Sequence, residues 1–141
     1  MTNLPIAPRE VLEVYLDALV AGDLEAMANS FAEDATWKLR GGLPLSGTKR
    51  GRAEIMEFLT GAGSLYEPGT QSFTFSSITA EEDRAVVEWR VQAVATATGR
   101  EYDNEYRGVF VVRDGQIVEV REYLDSAYAG EVLFGEPAPT S

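Results

Sequence analysis

The sequence contains no cysteine and no histidine. Without cysteine the chain can form neither disulfides nor thiolate metal sites. Without histidine it lacks the commonest metal ligand and the commonest general base near neutral pH. The familiar nucleophilic triads are excluded too, and no P-loop, GxGxxG or GxSxG motif occurs. We expect no metal and no cofactor, so acid–base chemistry would fall to carboxylates, tyrosine, lysine or bound water.

Basic residues and long apolar runs are also scarce. Twelve Lys and Arg stand against 23 Asp and Glu, a formal net charge of −11, which argues against nucleic-acid or anionic-membrane binding. No segment approaches the roughly 18 apolar residues of a membrane span. The N-terminal MTNLPIAPRE has neither the basic nor the apolar part of a secretion signal. A cytoplasmic protein is the default expectation.

What is present fits one small domain, because 141 residues with 45% hydrophobic content can bury a single core. We assign residues 1–134 to that domain and the terminal GEPAPTS, 135–141, to a flexible tail. Helical spacing comes first and strand alternation follows. The predicted helices are 8–21, 23–30, the segment after Gly51, and 126–134. The predicted strands are 34–40, 45–48, 71–79, 84–96, 102–113 and 116–124.

This order indicates an α+β fold in which helices pack on one face of an antiparallel sheet. The Asp114-Gly115 pair between the last two strands is a strong hairpin signal. The sheet's outer face needs a cover, and we expect a homodimer through that face, with Trp89, Arg107 and Tyr123 in the contact.

One carboxylate interrupts an apolar strand face. In 117–124 the apolar face carries Val118, Val120, Glu122 and Leu124. An unpartnered buried carboxylate is costly, so Glu122 would hold a proton or find a partner. The strand 84–96 offers Glu88, Arg90 and Gln92 on one face. That trio would either simply face solvent or share an interior with Glu122.

Four aromatic residues and an amide lie on faces that suit either a core or a pocket wall. Tyr102, Asn104 and Tyr106 alternate with charged residues, so they occupy the drier face of their strand. Tyr15 lies on the apolar stripe of the first helix and Trp37 on the first strand. Each of these is also compatible with an ordinary core position.

Three stretches together resemble the nuclear-transport-factor-2-like superfamily, and within it ketosteroid isomerases, polyketide cyclases and limonene epoxide hydrolases. They are YLDALVAGDLEAMANSFAEDATW, the helix after Gly51, and DNEYRGVFVVRDGQIVEVREYLD. The resemblance covers about residues 8–134. It implies a cystatin-like cone: a curved antiparallel sheet around an apolar pocket, with three N-terminal helices packed on its concave face.

The resemblance carries over only in part to functional residues. Tyr15 matches the oxyanion-holding tyrosine of the isomerases, but Leu39 stands in place of their base and Arg107 in place of their protonated aspartate. The epoxide hydrolases use an Asp–Arg–Asp set. Arg90 retains the arginine, while Glu122 and Gln92 replace the acids. This comparison favours a cavity position for Glu88, Arg90, Gln92 and Glu122.

We therefore predict a small-molecule enzyme of the polyketide-cyclase or isomerase type with carboxylate acid–base catalysis. Its catalytic residues would be Glu122, Arg90 and Gln92. The predicted binding residues are Tyr15, Trp37, Phe58, Glu88, Asn104, Tyr106, Val120 and Leu124. The ligand would be a small apolar, polyketide- or terpenoid-like molecule. Epoxide-hydrolase-like water addition and a non-catalytic ligand-binding or dimerisation module stay open as alternatives.

Overall fold

The computed structural model describes residues 7–136 and gives an α+β fold, as predicted. Residues 1–6 and the part of the predicted tail from 137 to 141 lie outside the described residues. The elements follow the chain as α1 (Pro8–Ala21), α2 (Leu24–Asn29), β1 (Phe31–Leu39), β2 (Gly47–Arg50), α3 (Arg52–Gly63), β3 (Ser72–Glu81), β4 (Arg84–Val94), β5 (Glu101–Arg113), β6 (Gln116–Leu124) and α4 (Ser126–Phe134).

The turn between α1 and α2 forms for reasons visible in the sequence. Gly22 adopts a left-handed conformation with φ of 71°, and its N–H bonds the carbonyls of Ala18 and Leu19, which ends α1. The side chain of Asp23 then accepts a hydrogen bond of 3.1 Å from the Ala26 N–H and caps α2. The residues that the helix pair buries include Leu12, Tyr15 and Met27.

The sheet is mixed, which differs from the purely antiparallel sheet expected. Its strand order is β2-β1-β6-β5-β4-β3, and β6 runs parallel to β1 while the other neighbours are antiparallel. The chain leaves β1 and β2, crosses through α3 and three further strands, and returns beside β1. Strand periodicity reports faces and not neighbours, so the sequence did not indicate this pairing. As a result, β6 lies centrally, between β1 and β5.

Helices cover one face of this sheet. Helix α1 packs against β3, β4 and β5, helix α3 against β1 and β2, and helix α4 against β5. The core between them is mostly aliphatic and includes a group of buried aromatic rings, Tyr15, Phe31, Trp37 and Phe110. Within residues 7–136 no helix is both long and apolar enough to cross a membrane.

Candidate functional site

An apolar cavity of about 230 Å³ lies between the helices and the sheet. Its exposed lining residues are Gly22, Leu24, Gly63 and Gln71. They place its opening between the α1–α2 turn and the segment that joins α3 to β3. Most of the wall is aliphatic or aromatic, which is typical of a small-molecule site with few polar groups. Trp37, Phe58 and Tyr106 are part of the wall, and their side chains do not fill the cavity.

Glu122 is the acidic group in this wall. It lies on the central strand β6, between Leu39 of β1 and Gly108 of β5. Its side chain is 7% exposed, and among residues 7–136 it is the only charged residue in the buried set. The Nε1 of Trp37 donates a hydrogen bond of 3.0 Å to its Oε1. The apolar strand face therefore turns inward from Val120 to Leu124, as the alternation predicted. Ile117 was predicted on the other face but is fully buried, because the β5–β6 register shifts beside it.

The environment of Glu122 suits proton transfer near neutral pH. Burial raises the pKa of Glu122 to about 7, while the Trp37 hydrogen bond and the positive charge of Lys49 act in the opposite direction. A carboxyl group with a pKa near 7 is populated in both its acid and base forms at neutral pH. It can then accept a proton and return it.

Tyr15 supplies a second polar group on the cavity wall. Its ring packs edge-on against Phe31, with centroids 5.3 Å apart, and the residue is 2% exposed. Burial, and secondarily the negative charge of Glu122, raise the pKa of Tyr15. The hydroxyl thus stays protonated and available as a hydrogen-bond donor.

Two of the predicted binding residues form the wall around the carboxyl group. Phe58 of α3 packs against the Trp37 indole, with centroids 5.8 Å apart, and Leu124 lines the cavity two residues beyond Glu122. Val120 is different. It is fully buried in the core and does not line the cavity.

Lys49 is a further charged residue that acts on Glu122, and it was not among the predicted site residues. It pairs with Trp37 across β1 and β2, and its Nζ lies 4.8 Å from the centre of the Phe58 ring and donates to the Leu45 carbonyl. Desolvation lowers the pKa of Lys49, and the charge of Glu122 partly offsets this. The predicted strand 45–48 ended just before Lys49 and two residues before the observed end at Arg50. Extending it to the observed 47–50 would have placed Lys49 on the face of Trp37.

A chain of hydroxyl groups forms a second polar region. Asn104 Nδ2 donates to the Tyr102 hydroxyl at 2.9 Å, and the Tyr102 and Tyr106 hydroxyls are 2.7 Å apart. Tyr106 lines the cavity, whereas Asn104 lies behind it. Tyr66, in the segment after α3, lines the same cavity and was also missed. It stands in a loop, where periodicity assigns no face.

The structure does not bring the predicted partners of Glu122 on β4 to the cavity. Arg90 is exposed and pairs with Asp103 at 2.7 and 2.6 Å, and Gln92 is exposed on the same face. Glu88 bonds Arg107 Nε at 2.9 Å on that outer face. The interior goes instead to the alternate set with Val87, Trp89, Val91 and Ala93. Burying that set gains hydrophobic free energy, whereas burying Glu88 and Arg90 would cost desolvation.

The same alternation corrects the expected dimer face. Trp89 pairs with Tyr106 and lines the cavity, so it points away from the face that holds Arg107 and Tyr123. Arg107 and Tyr123 do lie opposite each other on the outer face. Among the described residues no group of three or more Asp and Glu side chains is arranged to hold a metal ion.

Comparison with known proteins identifies the family. The family model of the SnoaL-like domain matches residues 12–120, which is most of the chain. The chain belongs to the SnoaL-like domain family. None of the curated proteins matches it in sequence.

Several solved structures share the fold of this SnoaL-like chain. An NTF2-like protein from Burkholderia thailandensis E264 is 20% identical, with 94% of this chain and 99% of that chain covered and a TM-score of 0.83. A Jannaschia sp. CCS1 protein, provisionally named a SnoaL-like polyketide cyclase, is 15% identical, with 97% and 99% covered and a TM-score of 0.77. TerC, co-crystallised with polyporic acid, is 21% identical, with 90% and 98% covered and a TM-score of 0.79. At these identities the likeness establishes an NTF2-like fold.

Proposed function

We propose that this SnoaL-like protein is a small-molecule enzyme of the cyclase or isomerase type, with Glu122 as its general acid–base group. The observation that carries the proposal is a buried carboxyl group that Trp37 holds in the wall of a mostly apolar cavity, where burial raises its pKa to about 7. Leu39 stands where the isomerases have their base. Leu39 is the β1 neighbour of Glu122. This protein therefore carries a carboxyl group in the same region of the cavity, but on β6 and not on β1.

The proposed chemistry is proton transfer next to a carbonyl group. The carboxylate of Glu122 takes a proton from the carbon beside the carbonyl, and the C–H electron pair moves to make an enolate on the carbonyl oxygen. The protonated carboxyl then returns the proton to a carbon of the conjugated system. Nothing else is consumed. TerC, co-crystallised with polyporic acid, supports a conjugated oxygen-bearing compound as the class of ligand.

Hydrogen–deuterium exchange provides a test that needs no knowledge of the natural substrate. β-Tetralone in D₂O, followed by NMR, should exchange its α-protons faster with the protein than without it. Exchange should increase as pH rises through about 7, because the base form of Glu122 then accumulates. Glu122→Gln should lower the rate roughly 10²–10⁴-fold, the usual contribution of a general base.

Arg90→Ala is the matched control, since Arg90 lies on the outer face and should not affect exchange. Equal rates for the wild type and Glu122→Gln would remove Glu122 from the mechanism. Binding of β-tetralone without any accelerated exchange would favour a non-catalytic binding module. Since Arg90 and Gln92 do not approach the cavity, the epoxide-hydrolase arrangement is not formed.

A further inference from the structure

We propose that the Tyr106 hydroxyl orients the substrate by donating a hydrogen bond to its carbonyl oxygen. This inference rests on the proposed function. When Glu122 removes a proton, negative charge develops on the carbonyl oxygen of the substrate, and the inference names the group that bonds this oxygen. It is carried by the direction of the hydrogen-bond chain that ends at Tyr106.

The chain begins at Asn104, whose amide orientation is fixed by its surroundings. One amide hydrogen goes to the backbone carbonyl of Asp125 at 3.1 Å and the other to the Tyr102 hydroxyl at 2.9 Å. A carbonyl oxygen can only accept, so the Asn104 atom facing Asp125 must be the nitrogen. Asn104 is 5% exposed, and both of its amide hydrogens are used by these two bonds.

This orientation sets the direction of the next bond. The Tyr102 hydroxyl accepts from Asn104 and has a single proton of its own to donate. Tyr102 is 1% exposed, and its hydroxyl lies 2.7 Å from that of Tyr106. The favoured arrangement is therefore donation from Tyr102 to Tyr106. Each donor in such a chain polarises the next, which strengthens the last one.

Tyr106 ends the chain with its own proton left to donate, and Tyr106 lines the cavity. The hydroxyl of Tyr66 lies on the same wall and is the other group that would accept this proton. A neutral hydroxyl is a weaker acceptor than an enolate oxygen, so a substrate would compete successfully for this proton. Burial strongly raises the pKa of Tyr106, and its hydroxyl therefore remains a donor wherever Glu122 is ionised.

The wall beside this donor favours a flat ligand. Trp89 stacks on Tyr106 with centroids 5.5 Å apart and planes 21° apart, and Phe75 lies 6.4 Å from Trp89. Phe73 stacks on Phe75 at 6.2 Å. All four rings line the cavity. Such a surface suits an aromatic or conjugated skeleton, with the oxygen at Tyr106 and the acidic C–H at Glu122.

Two probes, one with a ketone where the other has a methylene group, test the proposal without relying on turnover. β-Tetralone and tetralin share a skeleton, and Trp37 and Trp89 in the cavity wall provide a fluorescence signal for titration. The wild type should prefer the ketone. Tyr106→Phe should reduce that preference about 3- to 10-fold, the worth of one neutral hydrogen bond, and leave tetralin affinity unchanged. The carbonyl stretching frequency of bound β-tetralone should rise in the variant as well.

Tyr128→Phe is the matched control, because Tyr128 stacks on Tyr102 at 5.4 Å yet does not line the cavity. The ratio of the affinities for β-tetralone and tetralin should stay unchanged in Tyr128→Phe. An equal loss for both probes in Tyr106→Phe, or loss of the preference in Tyr15→Phe instead, would overturn the proposal. The Glu122 mechanism is judged separately by deuterium exchange. If the preference for the ketone depended on Tyr106 but the protein did not accelerate deuterium exchange, Tyr106 would remain the hydrogen-bond donor and Glu122 would be rejected as the catalytic base.

Discussion

The Nε1 of Trp37 donates a hydrogen bond of 3.0 Å to Oε1 of Glu122 across 85 positions of sequence. Both side chains are buried, and they come together because β6 returns parallel to β1 in the middle of the sheet. A carboxylate in apolar surroundings is costly unless it is hydrogen-bonded or protonated. Trp37 provides one hydrogen bond to Glu122, and the remaining desolvation cost raises the pKa of the carboxyl group. The raised pKa makes Glu122 a candidate for proton transfer.

The pKa of Glu122 predicts a pH dependence of stability. The folded pKa of about 7 exceeds the reference value of 4.5, so the folded state holds a proton that the unfolded state releases between these pH values. The free energy of unfolding should then fall as pH rises from 4.5 through 7. The loss should total about 3 kcal/mol.

Glu122→Gln removes this titration while leaving an oxygen to accept from Trp37. We expect the variant and the wild type to differ little near pH 4.5. Above pH 7 the variant should be more stable by up to about 3 kcal/mol. Urea unfolding of both proteins across this range measures the difference. A difference that does not change with pH would show that Glu122 has an ordinary pKa.

Trp37→Phe should raise the pKa of Glu122 further, because the indole hydrogen bond favours the ionised carboxylate. The pH above which deuterium exchange accelerates should therefore be higher in Trp37→Phe than in the wild type. Trp89→Phe is the control, since Trp89 is also a buried cavity residue but is not bonded to Glu122. An identical shift in both variants would assign the effect to cavity packing.

Periodicity located Glu122 because one carboxylate on an otherwise apolar stripe is a local signal. It also gave the bounds of α1 and α4 and the four later strands, with errors at the ends of the strands. Alternation left both faces of β4 possible for Glu88, Arg90 and Gln92, and the resemblance to epoxide hydrolases favoured the cavity. The competing set with Trp89 is buried instead, because burying it gains hydrophobic free energy without desolvating charges.

Other parts of the site depend on strand neighbours, which the sequence did not provide. The parallel pairing of β1 and β6 brings Trp37 to Glu122, and the β1–β2 register brings Lys49 beside Trp37. Neither follows from alternation. Tyr66 is contributed by a loop, and the direction of the Asn104–Tyr102–Tyr106 chain depends on a backbone carbonyl at Asp125. Such contacts are tertiary and cannot be deduced from spacing.

Lys49→Met should also raise the pKa of Glu122, because the positive charge of Lys49 lowers it. The effect should be smaller than that of Trp37→Phe, since the charge of Lys49 is a lesser contribution than the hydrogen bond. The chain's other lysine, Lys38, is exposed, so Lys38→Met is the control. The pH dependence of deuterium exchange measures both. Coincident profiles for wild type and Lys49→Met would contradict the coupling.

The outer sheet face stays our predicted dimer contact, with Arg107 and Tyr123 as its members and without Trp89. Tyr123 is 39% exposed there. Sedimentation at micromolar concentration should give twice the 15.4 kDa mass of one chain, and Tyr123→Lys should reduce it to the monomer. Val14→Lys, an exposed position on α1, should have no effect. A wild-type monomer would end this prediction.

Gly108 tests how tightly the sheet is packed beside Glu122. It pairs with Glu122 across β5 and β6, and a Cβ atom there would lie 2.6 Å from Cε1 of Phe110 and 3.3 Å from Cη2 of Trp89. The Phe110 ring cannot easily yield, because it packs edge-on against Trp37 at 5.9 Å in the buried core. Gly108→Ala should therefore destabilise the protein by about 1–3 kcal/mol, as overpacking usually does.

Gly61→Ala is the matched control for this substitution. Gly61 lies in α3, and a Cβ there would meet no atom within 4 Å, so alanine should stabilise by up to about 1 kcal/mol through its helix propensity. Urea unfolding compares the two variants with the wild type. If Gly108→Ala unfolded at the wild-type midpoint, the Phe110 ring would have room to move. The aromatic wall around Glu122 would then be looser than its packing implies.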